Sequence, residues 1–362
     1  MRILAPCGAE GQGPRLRSVV ARQLRPCQFA DTMFNLLIMI FRHLAGALLD
    51  RAHAYPVVTV TGPRQSGKTT LVRATFPGHP YVTLEDPDER AFALEDPRGF
   101  LRRWPDGAIL DEVQRAPELV SYLQGMVDDD PRPGRFVLTG SQNLLVLRGV
   151  SQSLAGRSGI LHLLPLSWSE LSGRPPLDPR ALGEPTRAPT PDRSADLMRT
   201  LFAGFYPRIH DRGLDPTVWL SDYYRTYVER DVRELLNVGD LETFGRFVRL
   251  CAGRSGQILN VSGLAADAGV SHTTARRWLS VLEASFLVVL LRPHFRSFSK
   301  RLTKSPKLHF LDTGLLCYLL RIGSPAELLT HSARGAVFEA VVVAELLKAD
   351  AHRGEGPALW YW

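Results

Sequence analysis

Residues 57–72, VVTVTGPRQSGKTTLV, constrain the fold of this chain more than any other stretch. A β-branched run, Val57–Thr61, predicts a strand. Gly62-Pro63-Arg64-Gln65-Ser66-Gly67-Lys68-Thr69 follows and matches G-x-x-x-x-G-K-[ST]; Thr70-Leu71-Val72 then opens a helix. Strand, glycine loop and helix make a phosphate cradle, with loop amides and the helix N-terminus facing the anion. Gly62 and Gly67 permit a close backbone approach that a Cβ would block. Lys68 supplies a point charge for β- and γ-phosphates, and the Thr69 hydroxyl offers one ligand position on Mg²⁺. The plain alternative is a chance glycine turn, which the complete motif with both flanks disfavours.

A second half-site lies about forty residues downstream. Gly107-Ala108-Ile109-Leu110 predicts a short strand ending in Asp111 and Glu112. A strand-borne Asp111 would share Mg²⁺ with Thr69, and Glu112 would act as general base on the attacking water. The alternative is that the two acids simply cap a helix. A third strand, Arg135–Thr139, runs into Gly140-Ser141-Gln142-Asn143, so Ser141 or Gln142 could orient the water or sense the γ-phosphate. Arg157 precedes another apolar run, Ile160–Leu164. It is read either as a contact to the γ-phosphate, in the same chain or in a neighbouring subunit, or as a solvated surface arginine.

These blocks carry a family resemblance. GPRQSGKTTLV, ILDEVQRAPEL, LTGSQN, SLAGR and LLPLSWSEL resemble successive blocks of prokaryotic AAA-type ATPases whose C-terminal half is an uncharacterised domain. Gly204–Arg208, Tyr223–Asp231 and Lys304–Leu315 are similar to blocks of that domain, so the resemblance spans roughly residues 39 to 350. It implies ATP as nucleotide, with Mg²⁺, and leaves a homo-oligomer open, since relatives of this type often form rings while no ring interface is visible in the sequence. The absence of a guanine-reading N-K-x-D motif agrees with adenine.

The 362 residues predict two or three domains, and a hydrophobic content of 44% suffices for packed cores. Cys7, Cys27, Cys251 and Cys317 have no metal-ligand spacing and read as reduced thiols of a cytoplasmic protein. Residues 1–38 are Arg-rich and read as a separate extension, with Met33 or Met39 expected as the true start. The apolar run Phe34–Phe41 is too short to span a membrane, and no membrane association is expected. The expected organisation is an ATPase domain over 39–172, a linker over 173–194, a helical domain over 195–330 and a last segment over 331–362. Six prolines in the eighteen residues 174–191 make the linker neither helix nor central strand, hence a flexible surface connection.

Beyond the linker, apolar residues at helical spacing predict helices over Ala195–Leu201, Val218–Leu236 and Leu241–Ala252. Leu259–Leu282 reads as a helix, a turn at Gly269, and a second helix capped by Ser271, a helix-turn-helix pattern. Strands over Phe286–Leu291 and Lys307–Leu311 suggest a winged variant. Between them lies a loop with Arg296, Lys300, Arg301 and Lys304. Together with Arg276 and Arg277 on the second helix it offers a basic face for DNA phosphates, in keeping with the net charge of +7. Equally open is a packing module with a solvated basic loop. The helix Arg334–Leu346 carries Glu339 and Glu345, and a strand is expected at Leu359–Trp362. By resemblance these open a restriction-nuclease-like fold. The chain stops at Trp362 before the Asp and Lys such a site requires, so the expectation is a truncated start, an unpaired apolar edge and no nuclease activity.

The expected fold is therefore α/β, a P-loop parallel sheet followed by a mainly α winged-helix domain. The expected function is a Mg²⁺-dependent ATPase acting on DNA. A nucleotide-gated binding switch with slow hydrolysis, or a regulator working through protein contacts, stand as alternatives.

Overall fold

The computed structural model describes residues 40–141, 153–181, 194–227, 241–294, 304–356 and 358–362. The N-terminal extension with Met33 and Met39, Gln142, and the basic residues Arg296, Lys300 and Arg301 lie outside them.

Helix α1 (Leu44–Ala54) leads into β1 (Val57–Thr61), and α2 (Lys68–Thr75) follows the glycine loop. Then come β2 (Tyr81–Thr83), α3 (Pro87–Glu95), α4 (Pro97–Arg102), β3 (Ala108–Asp111), α5 (Leu119–Asp129), β4 (Phe136–Gly140), β5 (Ser158–His162) and α6 (Trp168–Leu171). The strands form one five-stranded sheet in the order β2-β3-β4-β1-β5, and every pairing is parallel. Their near-continuous apolar sequences follow from burial on both faces. Val57, Ala108, Leu110, Phe136 and Leu138 pack with Phe100 and Leu101 of α4 and Leu123 and Val127 of α5. Val58, Val60, Ile109, Val137 and Leu161 pack on the other face with Leu44 and Leu48 of α1 and Leu71 and Val72 of α2.

This order sets β4 between β3 and β1, so the carboxyl ends of three neighbouring strands open into one crevice. Ligands of open parallel sheets bind at such a point, where strand order reverses. Strand β5 begins two residues before the apolar run that predicts it, because Ser158–His162 pairs with Val57–Thr61 residue for residue. Leu163 and its successors leave the sheet as a strap across the glycine loop.

The described part of the second half is mostly helical: α7 (Ser194–Ala203), α8 (Pro207–Arg212), α9 (Pro216–Tyr223), α10 (Leu241–Gly253), α11 (Val261–Ala268) and α12 (His272–Ala284). Residues 224–227 continue α9 as a π-helical turn. Strands β6 (Val288–Leu291) and β7 (Lys307–Phe310) pair antiparallel, and α13 (Thr313–Leu319), α14 (Pro325–Thr330) and α15 (Arg334–His352) follow. Gly269 closes α11 at φ 74°, and Ser271 caps α12 by accepting from the Thr274 amide at 3.1 Å. One apolar cluster runs through these helices, centred on Phe205, Tyr206, Phe244, Phe247, Trp278 and Phe310. Cys251 and Cys317 are buried free thiols, and burial pushes both up to about 12.

Two expectations change. The Leu359–Trp362 segment is not an unpaired edge: Tyr361 bridges Pro293 in parallel, with His294 N donating to Tyr361 O at 2.7 Å and Tyr361 N to Arg292 O at 3.0 Å. The first part of the proline-rich segment is tethered rather than free. Arg174 O accepts from His43 Nε2 at 3.1 Å, Leu177 O accepts from Arg353 at 3.2 Å, and Arg180 pairs with Glu355 at 2.9 Å. Among the described residues no helix is long and apolar enough to cross a membrane.

Candidate nucleotide site

The glycine loop is held by backbone fit. A Cβ on Gly62 would stand 2.1 Å from the Leu163 carbonyl oxygen, so only glycine lets the strap pass. Gly67, at φ 91°, is the N-cap of α2 and provides no side-chain cap, which leaves the first amides of the helix for an incoming anion. Lys68 is buried, and its Nζ donates to Gly62 O at 3.1 Å and Pro63 O at 2.9 Å, two carbonyls of its own loop. Burial lowers its pKa to about 8, against the pull of Glu112 and Asp111; Arg64 lowers it further.

The loop's rear is fixed by a residue that no motif singles out. Arg42, buried just before α1, donates to Ser66 O and, at 2.7 Å, to Leu164 O, and pairs with Glu170 of α6 at 3.1 Å. Glu170 also accepts from His43 N at 2.7 Å and Ser167 N at 2.8 Å, in a capping box at the start of α6. Burial opposes its charge, but Arg42, His352 and these amides outweigh burial and hold the carboxyl below its ordinary value. His43, Glu170 and His352 bring ligand atoms within 4.8 Å of one another. Both Glu170 oxygens are already taken by these donors, so the group is an ion-pair hub rather than a metal centre.

The sheet brings Thr69 and Asp111 together. Thr69 Oγ1 lies 3.1 Å from both Asp111 oxygens, Tyr81 Oη donates to Oδ2 at 2.8 Å, and Thr139 Oγ1 donates to Oδ1. Burial, then the bond to Asp111, raises the Tyr81 hydroxyl to about 12, so it stays a donor. A carboxylate and a hydroxyl beside an ammonium form a hard-oxygen set that fits Mg²⁺ next to phosphate. Glu112 follows in the left-handed conformation, φ 57°, and its Oε2 accepts from Ser141 Oγ at 3.0 Å and from Gln114 Nε2. Glu112 and Ser141 thus meet. Gln142 lies outside the described residues.

Arg157 does not join them within the chain. It precedes β5 at the amino end of the sheet, where its carbonyl accepts from Val57 N at 3.2 Å and its guanidinium grips Asp128, with Nη2 to Oδ2 at 3.0 Å. The loop sits at the opposite end, beyond the Thr61–His162 pairing. Contact with the γ-phosphate of the same chain is therefore corrected: a β-strand separates them, at about 3.3 Å per residue. Sequence reasoning also missed Tyr81, Thr139, Gln114 and Arg42 as site residues. Only Gln114 carried a local signal, two positions after Glu112.

In the second half, Arg276 and Arg277 are exposed on α12, and Lys304 is exposed before β7. Glu339 pairs with Lys307 at 2.9 Å, and Glu345 accepts from Trp168 N at 2.9 Å and from Lys348 at 3.0 Å.

A family model described as an AAA domain matches residues 54–172, and one described as a domain of unknown function (DUF8612) matches residues 194–326. The Walker-type ATPase PABY2304 of Pyrococcus abyssi superposes with a TM-score of 0.53 at 15% identity, over 78% of this chain and 96% of that one, a likeness of fold. Two uncharacterized proteins, Rv2008c of Mycobacterium tuberculosis and Mb2031c of Mycobacterium bovis, are each 35% identical over 329 residues, 90% of this chain and 69% of theirs. The chain belongs to the family of these mycobacterial proteins, with a P-loop fold of the AAA type in its first half.

Proposed function

We propose that this chain binds ATP with Mg²⁺ and hydrolyses it. The observation that carries this reading is the convergence of Lys68, Thr69, Asp111 and Glu112 at the carboxyl ends of neighbouring strands. Lys68 and the amides of residues 62–70 hold the β- and γ-phosphates; its ammonium exchanges the Gly62 and Pro63 carbonyls for phosphate oxygens. Thr69 and Asp111 hold Mg²⁺, which supplies charge neutralisation when bound. Glu112 takes a proton from the attacking water, and Ser141 and Gln142 respond to the γ-phosphate. Arg157, at the far end of its own sheet, could serve only the site of a neighbouring copy in a homo-oligomer.

The output we assign is DNA. Helices α11 and α12 with the β6–β7 hairpin have the order of a winged helix. Arg276, Arg277 and Lys304 offer exposed charge for phosphates, and Arg296, Lys300 and Arg301, which lie outside the described residues, add to it in sequence. A gated switch with slow hydrolysis is favoured by one contact. The Arg64 guanidinium of the glycine loop lies 5.7 Å from the Tyr227 ring centroid, and Tyr227 Oη donates to Ser285 O at 3.5 Å, at the end of α12. The loop thus touches the helix that carries the basic face through one side chain.

The test pairs two variants. Lys68→Ala is expected to lose ATP binding by at least about a hundredfold, and Glu112→Gln to keep ATP binding while turnover falls by a similar factor. Turnover of Glu112→Gln at the wild-type rate refutes its role as base. Adding duplex DNA separates the outputs: stimulated turnover marks a motor, whereas ATP-dependent DNA affinity with slow, unchanged turnover marks a switch. No gel shift at low salt removes DNA.

A further inference from the structure

Gln114 sits on the 3₁₀ turn Val113–Arg115, directly after Glu112, and is almost wholly buried, at 8% exposure. Its Nε2 donates to Glu112 Oε2 and, at 3.2 Å, to Ser141 Oγ, while Ser141 Oγ itself donates to Glu112 Oε2 at 3.0 Å. Three side chains from two strand ends thus close a small ring of bonds around one carboxylate oxygen.

This ring fixes which way the amide points. Turning it over would set Oε1 against the carboxylate and leave both oxygens competing for the one Ser141 proton, so the NH₂ must face inward. Oε1 then faces away, is buried, and has no hydrogen-bond partner among the described residues. Both ring bonds fall on Glu112 Oε2, so Oε1 of Glu112 carries neither of them.

We propose that Gln114 is a positioning residue, clamping Glu112 against Ser141 with its NH₂ so that Glu112 Oε1 stays turned to the attacking water. The inference rests on the ATPase reading and adds the residue that holds its base in place. One water proton points at Glu112, which leaves the oxygen lone pair for phosphorus. The bond from water oxygen to the γ-phosphorus forms as the bond from that phosphorus to the β–γ bridging oxygen breaks. The first proton passes to Glu112 and from there to phosphate or solvent. The second stays on the new phosphate oxygen. ADP retains the bridging oxygen and its electron pair.

The experiment measures ATP affinity, KM, kcat and thermal midpoint for Gln114→Leu, Glu112→Gln and the double variant. Gln114→Met is the replacement should leucine not fold. The expected result is a kcat at least thirtyfold down, with ATP affinity, KM and thermal midpoint near wild type, because leucine keeps the bulk of the side chain and removes only the clamp. The double variant should be no slower than Glu112→Gln alone, since Gln114 acts through that carboxylate. A packing role would instead lower the midpoint and affinity together. Wild-type turnover in Gln114→Leu, or losses that multiply in the double variant, overturns the proposal alone. A wild-type chain lacking Lys68-dependent turnover overturns the hydrolysis reading and this proposal with it.

Discussion

The two ends of the five-stranded sheet are built to opposite rules. At the amino end the arginines meet acids. Arg157 grips Asp128, and Arg135, 7% exposed, pairs with Asp130 at 3.5 Å and donates to Met126 O at 2.8 Å, Asp130 O at 3.2 Å and Pro105 O at 2.8 Å. At the carboxyl end the charges are only parked. Lys68 rests on carbonyls of its own loop, Asp111 collects three hydroxyls, and Gln114 Oε1 has no partner among the described residues. A paired end holds the fold together. An end where an ammonium and two carboxylates stand near one another on neutral groups suits a ligand that carries both signs, the magnesium nucleotide we propose.

Three substitutions test this contrast. The largest effect is expected at Arg42, behind the loop. Arg42→Ala strands Glu170 as a buried, unpaired carboxylate, and breaking such a pair costs about 3–5 kcal/mol. Denaturant unfolding of the full chain measures it. The sign with pH follows from the pairing. Glu170 is held below its ordinary value, so its contribution is present above the unfolded value, about pH 4.3, and is lost as pH falls through the folded one. Without Arg42, burial raises that carboxyl instead, and the gap between variant and wild type should shrink below roughly pH 4. A gap that stays constant with pH would place the cost elsewhere.

Tyr81→Phe comes next. It removes one hydroxyl from Asp111 and leaves its ring over Arg73, 4.7 Å from the guanidinium. The Mg²⁺ concentration for half-maximal turnover should rise about tenfold, as for other groups that orient a metal ligand, with kcat at saturating Mg²⁺ nearly kept. An unchanged Mg²⁺ titration would leave Tyr81 a packing residue. The smallest effect belongs to the paired end. Arg157→Ala should change turnover by less than about twofold in dilute protein, because exposed ion pairs contribute little. A loss that grows with protein concentration would instead reveal a neighbouring copy using Arg157, and the amino end would no longer be purely structural.

Legibility in the sequence followed distance along the chain. The loop at Gly62–Thr69 could be read because its chemistry lies within eight consecutive residues. Asp111 and Glu112 could be read because a strand presents them together. Arg42 and Glu170 meet across 128 residues and Tyr81 and Asp111 across 30, and no local pattern announces either meeting. Arg157 misled for the complementary reason. Its arginine was visible before β5, but its distance from the loop depended on β5 running parallel to β1. The expected open edge at Trp362 failed likewise, since Tyr361 pairs with residues far back in the chain.

The strap of residues 163–171 has a mechanical meaning. Its carbonyls are gripped at Leu164 by Arg42, which also holds the loop at Ser66, and at Leu166 by the buried Lys348 of α15 at 2.8 Å. A short segment clamped by buried cations on both sides, within close-packed surroundings, passes a displacement on rather than absorbing it. The floor of the phosphate loop and the last long helix therefore share one bracket, the fulcrum against which any swing of the loop would be levered.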